Sequence, residues 1–133
     1  MTRWRKFLVL DGAQRRVFLV SLVLLPCTFA LLRLRGYAAA QRFVAYFPAF
    51  CCVDLSPAVA ARMVDAAGSL CRASCLPRSL VLWGLLRARG AVIRLGVAPV
   101  PAKGIAAHAW VELDGRPIND APDVTERYAV LGA

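Results

Sequence analysis

The sequence predicts an α+β domain in which apolar N-terminal helices pack with a small antiparallel sheet, and three observations carry that prediction. Apolar residues follow helical spacing up to Gly90 and alternate with others beyond it. An Asp114-Gly115 pair, a strong hairpin signal, falls inside the alternating part. The 133 residues are 59 % hydrophobic and 19 % charged, enough for one modest core and too apolar for a disordered regulator. Residues 1–133 therefore read as a single domain, with apolar helices over 1–53 and the functional core over 54–133.

Residues 17–32 carry no charge and are bracketed by Arg15, Arg16, Arg33 and Arg35. At 1.5 Å per residue they reach only about 24 Å, against a hydrocarbon core of about 30 Å. The expectation is a buried or interfacial helix, with membrane contact open but not favoured. A signal peptide is disfavoured as well, because Asp11, Gln14, Arg15 and Arg16 interrupt the apolar segment and no convincing small-residue cleavage site follows. Arg35-Gly36 is a break, after which residues 38–47 form a second helix up to Pro48.

Asp54-Leu55-Ser56-Pro57 marks the next start, since Ser56 can cap free backbone N–H groups and Pro57 suits the first helical position. A helix over 58–70 follows. Ser74-Cys75-Leu76-Pro77 opens another, with Ser74 as candidate cap, Leu76, Leu80 and Trp83 at helical spacing and Gly90 as its close. Residues 92–97 then read as a strand, the proline-rich 98–104 as a loop, 106–112 as a second strand and 117–120 as a third.

Seventeen Lys+Arg against eight Asp+Glu leave a net charge of +9, which favours acidic partners such as a peptide, an anionic membrane surface or a nucleic acid. The charge is uneven. Between residues 66 and 111 lie Arg72, Arg78, Arg87, Arg89, Arg94 and Lys103 with no acid, so chemistry in that stretch is expected to work in a positive field, and Arg72, Arg78 and Arg94 could draw in an acidic peptide. Nucleic acid is not expected: the chain has no helix-turn-helix or RNA-binding signature and no dense Lys/Arg cluster.

Five cysteines, an odd count without CxxC spacing, argue against a secreted disulfide scaffold and a zinc ribbon, and point to reduced thiols in the cytoplasm. Cys27, Cys51 and Cys52 lie in apolar surroundings and read as small core residues. Cys71 and Cys75 could share a helical face, but with one histidine and no other nearby thiol no metal site follows, and no cofactor is implied.

Cys75 stands apart because it starts a helix, where free N–H groups and the helix dipole favour a thiolate. His108 is the one histidine able to serve it as a base. An orienting carboxylate depends on the hairpin. A two-residue loop, Asp114-Gly115, sets His108 against Ala121 and turns Asp120 to the other face. A three-residue loop, Leu113-Asp114-Gly115, sets His108 opposite Asp120 with Cβ atoms about 4.5–5.5 Å apart, and Glu112 opposite Arg116. The three-residue loop is the expectation, giving Cys75 as nucleophile, His108 as base and Asp120 as the group that holds the imidazole. Backbone N–H groups at the start of the Cys75 helix would hold the oxyanion. Trp110, two residues along the strand from His108, either walls the cleft or fills the core. Asn119 is expected to point away from Asp120.

The segments Cys75-Leu76-Pro77-Arg78-Ser79-Leu80, Leu95-Gly96-Val97, Ala107-His108-Ala109-Trp110-Val111-Glu112 and Gly115 through Asp120 resemble the transglutaminase-like, papain-like domain of lasso-peptide biosynthesis B proteins, the B2 leader peptidases. The resemblance covers about residues 56–120. It implies a cysteine protease with a Cys-His-Asp triad on Cys75, His108 and Asp120, cutting a ribosomally made precursor near a leader threonine so that a separate ATP-dependent cyclase can close the lasso ring. Larger relatives carry a leader-recognition domain on the same chain. The residues before Cys75 show no such strand-rich module, so the implied partners are the precursor peptide, a separate leader-recognition protein and, beyond them, the cyclase. The helices at 17–34 and 38–47 are either candidate docking surfaces or ordinary core-packing helices. Rival readings are acyl transfer to an amine by the same groups, and a non-enzymatic basic module bound to membrane or nucleic acid.

Overall fold

The computed structural model describes residues 9–46 and 55–131 of the chain. Its first helix, α1 (Gly12–Leu34), is opened by Asp11, whose carboxylate accepts from the Gln14 N–H at 2.8 Å while the Gln14 side chain accepts from the Asp11 N–H at 3.3 Å. This reciprocal box satisfies two orphan donors. The polar residues that interrupt the apolar run in sequence are therefore the first turn of the helix. Its 23 residues make it long and apolar enough to cross a membrane, by length and composition. The sixteen-residue count understated its reach.

One stripe of α1 is buried: Val17, Ser21, Leu24, Leu25 and Thr28, the spacing of a single helical face. It packs chiefly on the third helix and also on the second and fourth. The other side leaves Leu19, Val23 and Phe29 exposed. Cys27 falls off the buried stripe and is exposed too, which corrects its reading as a core residue.

Helix α2 (Tyr37–Tyr46) follows a turn in which the N–H groups of Arg35 and Gly36 both donate to the Leu31 carbonyl, at 2.7 and 2.9 Å. Pro48, Cys51, Cys52 and Asp54, with the expectations placed on them, lie outside the described residues. Helix α3 (Pro57–Cys71) starts as its sequence predicts, with Ser56 Oγ accepting from the Val59 N–H at 3.2 Å and Pro57 in the first turn.

Helix α4 (Cys75–Leu86) begins at Cys75, but Ser74, though extended, makes no side-chain capping bond and stays exposed. Between α3 and α4 the chain reverses through Arg72, which adopts a left-handed φ of 55°. Cys71 thus ends one helix and Cys75 begins another, so they do not share a helical face. A single 3₁₀ turn, Arg87–Arg89, and Gly90 close α4.

Strands β1 (Val92–Val100) and β2 (Gly104–Leu113) form an antiparallel hairpin with Gly96 opposite His108. The segment expected as a proline-rich loop is mostly strand, and the turn occupies only residues 101–103. Pro99 is tolerated for a geometric reason. The Leu95 carbonyl points away from β2, accepting from the Leu131 N–H at 2.7 Å, and alternation turns Pro99 to that same side. Among the described residues β1 is paired there only at Gly96 and Val97, so the missing donor breaks no ladder bond.

Beyond β2 come β3 (Arg116–Pro117), the short helix α5 (Val124–Arg127) and β4 (Ala129–Val130), giving the sheet order β3-β2-β1-β4. The fold is α+β, with helices against a small antiparallel sheet. One apolar cluster runs through it, joining Val17 and Leu25 of α1, Val44 of α2 and Val64 of α3 to Leu80 and Leu86 of α4 and Val111 of β2.

The β2–β3 connection corrects the expected register. Leu113 pairs with Arg116 and Glu112 with Pro117, so the loop is the two residues Asp114 and Gly115. Both have positive φ, 54° and 77°, the geometry whose twist matches that of the flanking strands and which an Asp-Gly pair supplies. Glu112 consequently does not face Arg116. It pairs with Arg94 across the β1–β2 hairpin at 3.3 Å and accepts from Trp110 Nε1 at 2.9 Å.

Two hydroxyls on the buried stripe of α1, Ser21 Oγ and Thr28 Oγ1, have no hydrogen-bond partner among the described residues. A buried unpaired hydroxyl costs about 1 kcal/mol or more. Ser21→Ala and Thr28→Val are therefore each expected to raise stability by about 1 kcal/mol, read as a rise in melting temperature.

Candidate active site

Cys75 occupies the first position of α4 and is half-buried. The turn before it is braced from within the same helix. Arg78 Nε donates to the Ala73 carbonyl at 2.8 Å, and Arg78 Nη1 reaches Asp65 of α3 at 3.4 Å. Arg78 is thus committed to this turn as well as lining the adjoining cavity.

His108 lies in the middle of β2, and its Nε2 is hydrogen-bonded to Asp120 Oδ2. An ionised carboxylate only accepts, so Nε2–H is the donor, and in the neutral ring Nδ1 then carries the lone pair. Asp120 is itself oriented: Oδ1 accepts from the Ala121 N–H at 2.7 Å and lies 3.5 Å from Arg127 Nη2.

The two-residue loop was expected to turn Asp120 away from His108. It does not, because strand alternation ends before Asp120 is reached. Ile118 N–H still donates to the Val111 carbonyl at 2.9 Å. At the next step the Asn119 side chain takes over, with Oδ1 accepting from the Val111 N–H at 2.8 Å. The chain bends over residues 118–120, and the bend carries the Asp120 carboxylate to the imidazole. Asn119 is not turned away as expected. Its Nδ2 donates to Ser79 Oγ at 3.1 Å, and Ser79 Oγ donates to the Ala109 carbonyl at 3.0 Å.

The His108 ring is held by aromatic neighbours, with the Trp110 centroid at 6.0 Å and the Tyr128 centroid at 4.9 Å, both near-parallel to it. Gly96, opposite His108, makes this stacking possible. A Cβ there would stand 2.8 Å from Trp110 and 2.8 Å from Tyr128. Trp110 is fully buried, at 0 % exposure, and is not among the residues lining the cavity. Of the two places open to Trp110, cleft wall in contact with substrate or core filler, the structure shows the core one: its ring fills the space beneath His108, and its indole N–H is spent on Glu112.

A cavity of about 300 Å³ brings these parts together, lined by Cys75, His108 and Asp120 with Arg78, Ser79 and Asn119. Asp65 of α3 also lines it. The stretch that is free of acids in sequence is thus not so in space, where two carboxylates and Arg78 share the cavity. Sequence reading gave no role to Ser79 or Tyr128 and named Asn119 only to set it aside as the orienting group. Ser79 was detectable as the residue one helical turn beyond Cys75, on its side of α4. Nothing local signals that Tyr128 folds back onto His108.

A cysteine at the head of a helix packed on an antiparallel sheet, with a His–Asp pair lining the same cavity, is the arrangement of a transglutaminase-like fold. The sequence pattern of the transglutaminase-like superfamily matches residues 22–133, and the chain belongs to that superfamily. The match starts inside α1, so the second half of that helix and all of α2 fall within it. No curated protein and no solved structure matches the chain.

Gly96→Ala is expected to force Trp110 or Tyr128 out of place and to cost about 1–3 kcal/mol, the usual penalty of overpacking. Urea unfolding would measure this, with Gly12→Ala as the comparison, since a Cβ there meets nothing within 4 Å.

Proposed function

We propose that the chain is a cysteine peptidase that removes the leader peptide from a ribosomally synthesised lasso-peptide precursor. The observation that carries this reading is that Cys75, His108 and Asp120 face one shared cavity, with His108 already hydrogen-bonded to Asp120. The segments at 75–80 and 107–112, which resemble the B2 leader peptidases, support the choice of substrate.

The chemistry follows from the orientation of the ring. With Nε2–H held by Asp120, Nδ1 takes the Cys75 proton and the sulfur attacks the scissile carbonyl carbon. The oxyanion is met by the N–H groups of Cys75 and Leu76 at the start of α4, where Pro77 supplies none. His108 then protonates the leaving amine of the core peptide as the C–N bond breaks. A water, giving its proton to Nδ1, hydrolyses the leader thioester and restores the thiol. These groups need no metal or cofactor.

The leader is presented by a separate recognition protein in the cytoplasm, where the ribosome makes the precursor, and a cyclase then takes the freed core peptide. The exposed apolar residues Leu19, Val23 and Phe29 of α1, with Tyr46 of α2, are the surface we assign to docking of the recognition protein.

The test mixes the chain, the recognition protein and the precursor, and follows peptide mass. Cys75→Ala is expected to abolish cleavage, and Asp120→Asn to lower kcat by about 10²–10⁴, the effect of losing the group that sets the imidazole tautomer. Cleavage that survives Cys75→Ala ends the peptidase reading. Products joined to an added primary amine in place of free leader would make the chain an acyl transferase.

A further inference from the structure

The proposed reaction needs three separate pieces of chain to meet: the head of α4, the middle of β2 and the bend that follows β3. One hydrogen-bonded path touches all three. It runs from the Val111 N–H to Asn119 Oδ1, from Asn119 Nδ2 to Ser79 Oγ, and from Ser79 Oγ to the Ala109 carbonyl. We propose that Ser79 and Asn119 are positioning residues of this site, which hold the Cys75 sulfur in register with His108 and Asp120. The proposal rests on the peptidase reading above.

The placement of the path supports this more than its stability does. Ser79 lies one turn beyond Cys75 on α4, Ala109 directly follows His108, and Asn119 directly precedes Asp120. Three of the four anchors are therefore within one residue, or one helical turn, of a reacting or orienting group, and the fourth, Val111, is on the strand that carries His108. Ser79 is fully buried, so water does not compete for its hydroxyl.

The polarity of the path is also fixed. The Val111 N–H can only donate and the Ala109 carbonyl can only accept, so the intervening amide and hydroxyl can be oriented in one sense alone. Both ends rest on β2, the strand that carries His108. A shift of α4 along the sheet, or of the bend away from it, would break a buried hydrogen bond, which costs more than the bond is worth when formed. A simple packing contact would tolerate such a slip.

The test uses the purified full-length chain and iodoacetamide. Alkylation of the Cys75-containing peptide is followed by mass spectrometry at neutral pH and at about pH 10, where an ordinary thiol is ionised. The ratio of the two rates reports how far the imidazole assists the thiol. Relative to wild type, His108→Ala lowers this ratio about tenfold or more if the base assignment holds. Ser79→Ala and Asn119→Ala are expected to lower it to the level of His108→Ala, while Ser79→Thr, which keeps the hydroxyl, stays within about twofold of wild type. In the cleavage assay the same variants should lose kcat with KM little changed. Should Ser79→Ala fail to fold, Asn119→Ala at its half-buried site decides by the same ratio.

If His108→Ala lowers the ratio and the Ser79 and Asn119 variants only lower the melting temperature, these two residues are structural and the positioning claim is overturned, while the peptidase reading stands. If His108→Ala itself leaves the ratio unchanged, the peptidase reading fails and takes the positioning claim with it.

Discussion

An asparagine side chain does the work of backbone at the end of the sheet, and the architecture around the cavity depends on that substitution. Antiparallel pairing between β2 and β3 lasts for two residue pairs before the Asn119 amide takes the Val111 N–H. Had a main-chain carbonyl filled that position, the strand would have continued straight, and period-two alternation would have carried Asp120 to the face away from His108. With a side chain there, the backbone is free to bend at once, and the carboxylate arrives beside the imidazole. The remaining supports follow from this bend. Arg127 and the Ala121 N–H orient the carboxylate, and Tyr128, a few residues on, closes over the ring before β4 ties the segment back to β1.

The sequence made much of this legible, for identifiable reasons. Ser56-Pro57 and Asp114-Gly115 are local signals, in which a hydroxyl, a ring or a pair of positive φ angles acts within a few residues. The first helix was misjudged because apolar run length was counted while Asp11 and Gln14 were read as interruptions, although Asp-x-x-Gln is itself a start signal. The hairpin was misjudged in a more instructive way. The three-residue loop was chosen because it alone delivered Asp120 to His108 on the assumption of an unbroken strand. The assumption failed, so the wrong loop accompanied a contact that the structure does contain. Cys27 was placed in the core on composition, where helical phase assigns it to solvent.

Charge illustrates why sequence neighbourhood is a poor guide to local field. The run from residue 66 to 111 has no acid, yet Asp65 stands just before it, and the α3–α4 reversal turns that carboxylate into the cavity beside Arg78. Arg94, counted as a possible lure for an acidic peptide, is paired with Glu112 on the neighbouring strand. Glu112 is buried whereas Asp65 is exposed, so of these two pairs the Arg78–Asp65 one contributes little to stability. Their effect here is to remove free positive charge from the site and leave the basic excess elsewhere on the surface.

His108 and Asp120 come from one continuous stretch, a single hairpin and the bend after it, whereas Cys75 belongs to a helix made earlier in translation. A ribosome therefore delivers the sulfur well before the imidazole, and the imidazole before the tyrosine that clamps it. Closing the local loop is fast, while docking the hairpin on α4 joins distant parts of the chain and comes late. Until the segment through Tyr128 has emerged the nascent polypeptide carries a thiol without its clamped imidazole, so the cavity that Cys75, His108 and Asp120 line is assembled late.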